Sequence, residues 1–359
     1  MNDLNSHELL KHLSKQLKAR KVNQQITLME VCGTHTMAIH RSGLNQMLPD
    51  NLRLVSGPGC PVCVTGVSYI DTAIDMAKQH GVTLTTFGDM MRVPGSKENL
   101  SEIRSQGHAV EVVYSPLGAL ELAEKNKDKN IVFLAVGFET TTPTIAATVS
   151  LAKEKNIKNF YVLPAHKLVM PALEALISDP NLGLNGFILP GHVSTILGSK
   201  PYEFIATKHN MACVITGFEA ADVIQGIHML IDQIETGDPK IEIQYKRVAH
   251  EEGNAKARAL VDEIYEPCDA LWRGFGSIPM SGLKLRPAFE AFDALKAFPV
   301  TVNDEVENTG CECGAVLQGK IIPPDCALYG QVCTPEYPIG PCMVSSEGTC
   351  AAYYKYRTS

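Results

Sequence analysis

The sequence predicts an α/β protein whose parallel sheets are covered by helices on both faces, followed by an irregular cysteine-rich tail. Three observations carry this. Short β-rich runs alternate with helical patterns over the first two thirds of the chain. Nearly every predicted strand runs into a polar or Gly/Pro-rich loop. Six of the eleven cysteines fall in the last 49 residues, where Gly and Pro are frequent and apolar periodicity is weak.

Strands are predicted at Ile26–Val31, Leu52–Ser56, Val82–Phe87, Val110–Tyr114, Ile131–Val136, Phe160–Leu163, Gly186–Leu189 and Cys213–Ile215. Helical spacing predicts a helix over Tyr69–Gln79, with Ile70, Ala73, Ile74 and Ala77 on one face. Glu219–Ile234 repeats the pattern through Ile224, Ile227, His228 and Ile231, and Ala255–Ile264 reads as a further helix. The loops after the strands are CGTHT (32–36), GPGCPVC (57–63), GDMMRVPG (88–95), GFETTTP (137–143), PAHK (164–167), PGHVST (190–195) and TGFE (216–219). Ligands of open α/β sheets bind outside the carboxyl ends of strands, so these loops are expected to converge on one or two clefts. Gly-Phe-Glu recurs at 137–139 and 217–219, a hint of two related halves. From about Pro239 few periodic segments are visible. A segment such as the tail from Gly310 builds little core alone, and a metal cluster would supply the missing cross-links.

The 359 residues are enough for two or three domains, and 45% hydrophobic residues with 20% charged are those of an ordinary globular chain. A net charge of -7 and the lack of any Lys/Arg run argue against a nucleic-acid binder. The polar amino terminus is no secretory signal, and no stretch of about 18 apolar residues suggests a membrane span. A cytoplasmic protein is expected. In a reducing compartment, clustered cysteines point to metal or redox chemistry rather than structural disulfides. No G-x-x-x-x-G-K-[ST], H-E-x-x-H or helix-opening G-x-G-x-x-G occurs, so ATPase, zinc-protease and nicotinamide readings lack their usual parts.

The tail cysteines are Cys311, Cys313, Cys326, Cys333, Cys342 and Cys350. Their spacing is poor for a C-x2–4-C zinc site and easier for an iron–sulfur cluster, which needs four thiolates and leaves two over. Zinc or inert core cysteines remain the alternatives. Cys60-Pro-Val-Cys63 can form a disulfide or chelate a soft metal, and an adjacent helix amino terminus would lower the Cys63 pKa. Cys32 stands alone, with Gly33 permitting close backbone approach and His35 two residues on from Gly33. It reads equally as an Fe(II) ligand with Cys60 and Cys63 or as a buried thiol. His35, His40, His166 and His192 flank these loops, where a lone histidine is more often a hydrogen-bonded bystander; Glu139 and Asp89 face the same choice. Cys213 in an apolar strand, Cys268 and Trp272 read as packing residues.

The stretches Met29–His35 (MEVCGTH), Gly57–Thr65 (GPGCPVCVT), Thr86–Pro94 (TFGDMMRVP), Ala135–Pro143 (AVGFETTTP), Leu189–Thr195 (LPGHVST) and Gly340–Tyr354 (GPCMVSSEGTCAAYY) span nearly the whole chain. Together they resemble the HypD family of NiFe-hydrogenase maturation factors. The resemblance implies two similar Rossmann-like parallel-sheet domains, expected at 1–120 and 121–240. It also implies a C-terminal domain at 241–359 with a 4Fe-4S cluster, on which the N-terminal helix is expected to pack. It implies a scaffold, shared with the small partner HypC, for an iron carrying two cyanides and one carbon monoxide. HypE is then the cyanide donor, and the hydrogenase large subunit the recipient. On that pattern Cys32 is the principal iron ligand, and Cys60 and Cys63 are a redox dithiol or accessory iron ligands. Cys311, Cys326, Cys333 and Cys350 hold the cluster, with Cys313 and Cys342 as a redox pair beside it. His35 donates a proton or orients its loop. The chain is expected to be a monomer on its own. Two rivals are a thiol–disulfide oxidoreductase working through Cys60/Cys63, and a zinc-stabilised adaptor.

Overall fold

The computed structural model describes residues 3–20, 24–301 and 310–356. Its strands are β1 (Ile26–Glu30), β2 (Leu52–Ser56), β3 (Thr83–Thr86), β4 (Val110–Val112), β5 (Ile131–Gly137), β6 (Phe160–His166), β7 (Gly186–Pro190), β8 (Ala212–Thr216), β9 (Ile241–Ile243), β10 (Tyr265–Trp272) and β11 (Gly276–Leu285). One sheet has the order β2-β1-β7-β8-β9 and a second the order β4-β3-β5-β6, with every pair parallel. β10 and β11 form an antiparallel hairpin. The two Rossmann-like sheets are as expected. Interior strands β5, β7 and β8 are buried along their whole length. That explains why they read as continuous apolar runs rather than alternating ones.

The two α/β units do not follow chain order. β1 and β2 share a sheet with β7, β8 and β9, while β3 to β6, from Thr83 to His166, build the other. The expected division at 120/121 therefore cuts through the four-stranded sheet. A parallel crossover with one helix looks the same in sequence whether its strand returns to the same sheet or starts another, so local pattern could not decide this.

All eight predicted strands form. β6 runs on through Pro164 to His166, which an edge strand tolerates because the missing N–H need not face a partner. β9 was not foreseen; it is a three-residue edge strand, too short to show a period. The β10/β11 hairpin was also missed. Pro267, a register shift between Cys268 and Ala270, and Met280 at φ 53° hide its alternation. The hairpin does not belong with the tail: Tyr265, Leu283 and Leu285 share a core with β5 and β6 residues Phe133, Phe160 and Val162. The expected 241–359 domain is thus divided, with β9 in the first sheet, the hairpin on the second, and the cysteine-rich part from Gly310 onward.

The N-terminal helix is not on the cysteine-rich region. Helix Asp3–Ala19 packs along helix Ala220–Thr236 of the five-stranded unit. His228 donates to the Leu13 carbonyl at 3.3 Å, and Arg20 pairs with Asp232 and Glu235. Leu17 fills the same apolar cluster as Ile224, Ile227 and Ile231, so helix packing on a ready apolar face outcompetes the small, Gly-rich tail. Among the described residues, no helix is long and apolar enough to cross a membrane.

Candidate functional site

The register of the five-stranded sheet assembles the site. Glu30 is level with Ser56 and with Ile188, and Pro190 with Thr216. The CGTHT, GPGCPVC, PGHVST and TGFE loops therefore leave adjacent strands at one edge. Gly57 donates to the Glu30 carbonyl at 2.7 Å, and Gly33 donates to Gly59 at 2.9 Å. Gly59 lies directly on Cys32: a Cβ there would stand 2.3 Å from the Cys32 nitrogen and 2.4 Å from its Cα. A Cβ on Gly33 would stand 2.5 Å from the Glu347 Cβ. Both glycines are needed for close backbone approach.

Glu347 closes the site from the tail. Its carboxylate accepts from the Thr34 hydroxyl at 2.6 Å, and its charge reaches Cys32, Glu30 and His192. The second sheet holds this tail segment through Asp89, which accepts from the Ser345 hydroxyl (3.1 Å) and from the Ser346 amide and hydroxyl (3.3 Å each). The loops of both sheets thus meet. Nothing local in the sequence marks Glu347, whereas Asp89 lies in a strand-end loop and serves here as the acceptor that holds the tail.

Cys32 precedes the first residue of helix Gly33–Arg41 and is partly exposed. Burial around the sulfur, reinforced by Glu347, pushes its thiol up to about 12. A bound metal would displace that proton, because the thiolate is the ligand. Glu30 fixes its backbone: one carboxyl oxygen accepts from the Cys32 amide (3.1 Å), the other from the Thr36 hydroxyl (2.5 Å). Burial raises the Glu30 carboxyl to about 8 against an ordinary value of 4.5. Stability from the protonated form is therefore complete below pH 4.5 and is lost as pH rises towards 8. Glu30→Gln is expected to remove this loss. Urea denaturation from pH 5 to 8 should show the variant gaining on the parent by up to about 1.4 kcal/mol per pH unit. A pH-independent difference would contradict the protonated carboxyl.

His35 is fully buried, and burial lowers its pKa to about 4. Nε2 donates to the Gly217 carbonyl (3.0 Å) and lies 2.9 Å from the Thr216 hydroxyl; Nδ1 has no hydrogen-bond partner among the described residues. Phe218 is stacked between His35 (4.5 Å) and His192 (3.9 Å). Of its two expected roles, the geometry fits loop orientation. His40 lies against Tyr353 with the rings tilted, and His166 is buried against Tyr265, neither of its ring nitrogens having a hydrogen-bond partner among the described residues. Glu139 accepts from the Val169 amide at 2.9 Å, and burial raises it to about 7. Trp272, expected to pack, does so against Phe138.

Cys60 and Cys63 form a disulfide with Cα atoms 5.2 Å apart, and both are buried. A disulfide offers no thiolate, so the redox-pair role fits this state and the iron-ligand role does not. The Cys63 amide donates to the Cys60 sulfur at 3.2 Å, and the following helix begins only at Val67. The sulfur favoured by local donors is thus Cys60, not Cys63.

The tail cysteines gather. Cys311, Cys313, Cys326, Cys333 and Cys350 line one small cavity with Val316, Leu328 and Met343. Cys342 is fully buried beside it, in contact with Cys313 and Cys350. The Cys311 and Cys313 sulfurs are 3.2 Å apart under Gly340, whose Cβ would stand 2.5 Å from one and 2.6 Å from the other. Hydrogen bonds from Cys313 and Cys342 lower Cys350 to about 6, whereas contacts with Cys313 and Cys350, together with burial, raise Cys342. Contact with Cys313 and burial also raise Cys311, and Arg273 opposes that rise. The four cysteines expected to hold a cluster all line this cavity, with Glu312 and Tyr329 also on its wall, and a set of four thiols in a mostly apolar lining is the donor chemistry an iron–sulfur cubane takes. Among the described residues, no three ligating side chains converge closely enough to hold a single ion.

The two thiol groups share one core. Cys60, Cys63, Cys313, Cys333, Cys342 and Cys350 belong to a continuous cluster that also contains Val31, next to Cys32. Compared with known proteins, residues 6–357 match the family model described as HypD, Hydrogenase formation hypA family. The chain belongs to the HypD family. It is 44% identical to the hydrogenase maturation factor HypD of Azotobacter vinelandii over 355 residues, covering 96% of this chain and 94% of that one. It is 41% identical to HypD of Escherichia coli (98% and 95% covered) and 41% identical to that of Cupriavidus necator (97% and 94%). This HypD-family chain is accordingly a hydrogenase maturation factor, and its six motif stretches lie in the loops and tail just described.

Proposed function

We propose that this protein is a cytoplasmic scaffold, monomeric until it recruits HypC, on which the iron group of NiFe hydrogenases is assembled. The iron is the cargo: it arrives as Fe(II), gains two cyanides from HypE and one carbon monoxide, and leaves through HypC for the hydrogenase large subunit. The observation that carries this reading is the shared core of the Cys60–Cys63 disulfide and the tail cysteines, beside the Cys32 loop.

Cys32 anchors the cargo as a thiolate, with Glu30 and Gly59 holding its backbone and Glu347 at the rim. Soft sulfur suits an iron bearing cyanide and carbon monoxide. A 4Fe-4S cluster on Cys311, Cys326, Cys333 and Cys350 would supply one-electron transfer when bound. Cys313 and Cys342, in contact, form a dithiol that can release two electrons and two protons on closing to a disulfide. The Cys60–Cys63 disulfide takes up the same number on opening, so the pairs are matched in stoichiometry.

Infrared spectroscopy of the anaerobic protein purified with HypC tests this directly. Cyanide and carbonyl stretches are the expected result; a stable HypC complex without them after maturation in the presence of HypE overturns it. The disulfide itself favours a second reading, a general thiol–disulfide oxidoreductase. That reading requires insulin reduction at Cys60/Cys63 and no bound diatomics.

A further inference from the structure

The turn between β10 and β11 is wedged between the two sulfur sites. The Arg273 amide donates to the carbonyl of Val64, the residue after Cys63, at 2.9 Å. Gly274 lies against Gly314, the residue after Cys313, so closely that a Cβ on Gly274 would stand 2.3 Å from the Gly314 Cα. The Gln318 side chain donates to the Gly274 carbonyl at 2.5 Å. Arg273 sits between them, 4% exposed, and its buried Nη1 has no hydrogen bond among the described residues. Among the described residues, no carboxylate pairs with it. A guanidinium keeps its charge at any accessible pH. A buried one without a counter-charge is strongly unfavourable. Its surroundings offer sulfur: Cys311 is within its electrostatic reach, and the Cys60–Cys63 loop lies on its other side.

We propose that Arg273 is the counter-cation of the metal–thiolate assembly at Cys311, Cys326, Cys333 and Cys350, and that it raises the assembly's reduction potential. This deepens the function proposed above and rests on its cluster reading. Cysteinate thiolates bring negative charge to a cavity with apolar walls, and each added electron brings more. A fixed cation alongside stabilises the reduced form more than the oxidised one, and net charge and sulfur surroundings are what tune such potentials. The step is one electron taken from a one-electron reductant, dithionite radical anion in the test below, with no bond made and no proton moved at Arg273. Arg273 is a positioning residue, not a ligand.

The test compares the full-length parent, Arg273→Gln and Arg273→Lys, purified anaerobically. Iron and sulfide content is measured first. Dithionite titrations with dye mediators, followed by electron paramagnetic resonance, then give the potentials. Arg273→Gln is expected to keep its cluster and to shift to more negative potential. At the parent's midpoint its oxidised-to-reduced ratio should rise about tenfold, about 59 mV for one electron. Arg273→Lys should restore most of the shift. An unmoved potential in a cluster-bearing Gln variant overturns the inference alone. If the Gln variant loses its cluster, the Lys variant decides: retention at the parent's potential supports the charge role, and loss overturns it. A parent without iron and sulfide defeats the cluster reading itself, and the inference with it.

Discussion

Cys32→Ala is expected to abolish the cyanide and carbonyl infrared bands of the protein purified with HypC. The substitution removes one sulfur and leaves its surroundings intact. Glu30 still receives the residue-32 amide, Gly33 still bonds Gly59, and the residue is not part of the packed core. Folding should therefore survive, and the circular dichroism spectrum with it. The effect is total because the other two thiols of the amino-terminal trio are tied to each other. Without Cys32, no free thiolate of that trio remains to hold iron. Cys213→Ala is the control. That thiol is buried in β8, and its loss should cost stability without touching the bands. Full bands in Cys32→Ala would show that another group anchors the iron.

Gly59→Ala is expected to be strongly damaging to this site. Its Cβ would meet the Cys32 nitrogen at 2.3 Å, the Cys32 Cα at 2.4 Å and the Val31 carbonyl carbon at 2.4 Å. All three are backbone atoms, so no side chain can swing aside. β1 is held between β2 and β7, and Gly57 bonds back to Glu30, so neither loop can retreat without breaking ladder hydrogen bonds. Overpacking of this kind costs about 1–3 kcal/mol and occasionally more. The expected result is a clear drop in urea midpoint together with loss of the infrared bands, while the tail cysteines keep their iron and sulfide. Gly118→Ala provides the contrast. Its Cβ would sit 3.5 Å from the Val113 side chain, an ordinary contact, inside helix Pro116–Lys125. That substitution should be neutral or stabilising, since alanine is favoured over glycine in helices by up to about 1 kcal/mol. A Gly59→Ala protein as stable as its parent would mean that the Cys32 and Gly59 loops are not locked together.

Much was legible before any coordinates. Continuous apolar runs such as Ile131–Val136 announce strands buried on both faces, and the polar loops after them mark the end of the sheet where chemistry gathers. The repeated Gly-Phe-Glu begins at the last residue of β5 in one sheet and just after β8 in the other, both interior strands. Short edge strands and a bulged hairpin escaped, because three residues, or an alternation broken by Pro267, carry too little pattern to read.

The sequence by itself determined most of the element types, the clustering of the thiols and the family, because these depend on residues near one another along the chain or on motifs as strings. Only the tertiary structure decided which strands share a sheet, that Glu347 and Asp89 reach the Cys32 site, that His35 is turned onto Gly217, and that Arg273 stands between the two sulfur groups. The reason is physical: such meetings join residues far apart along the chain, and they are selected by the packing of whole faces. No window of local sequence contains that information.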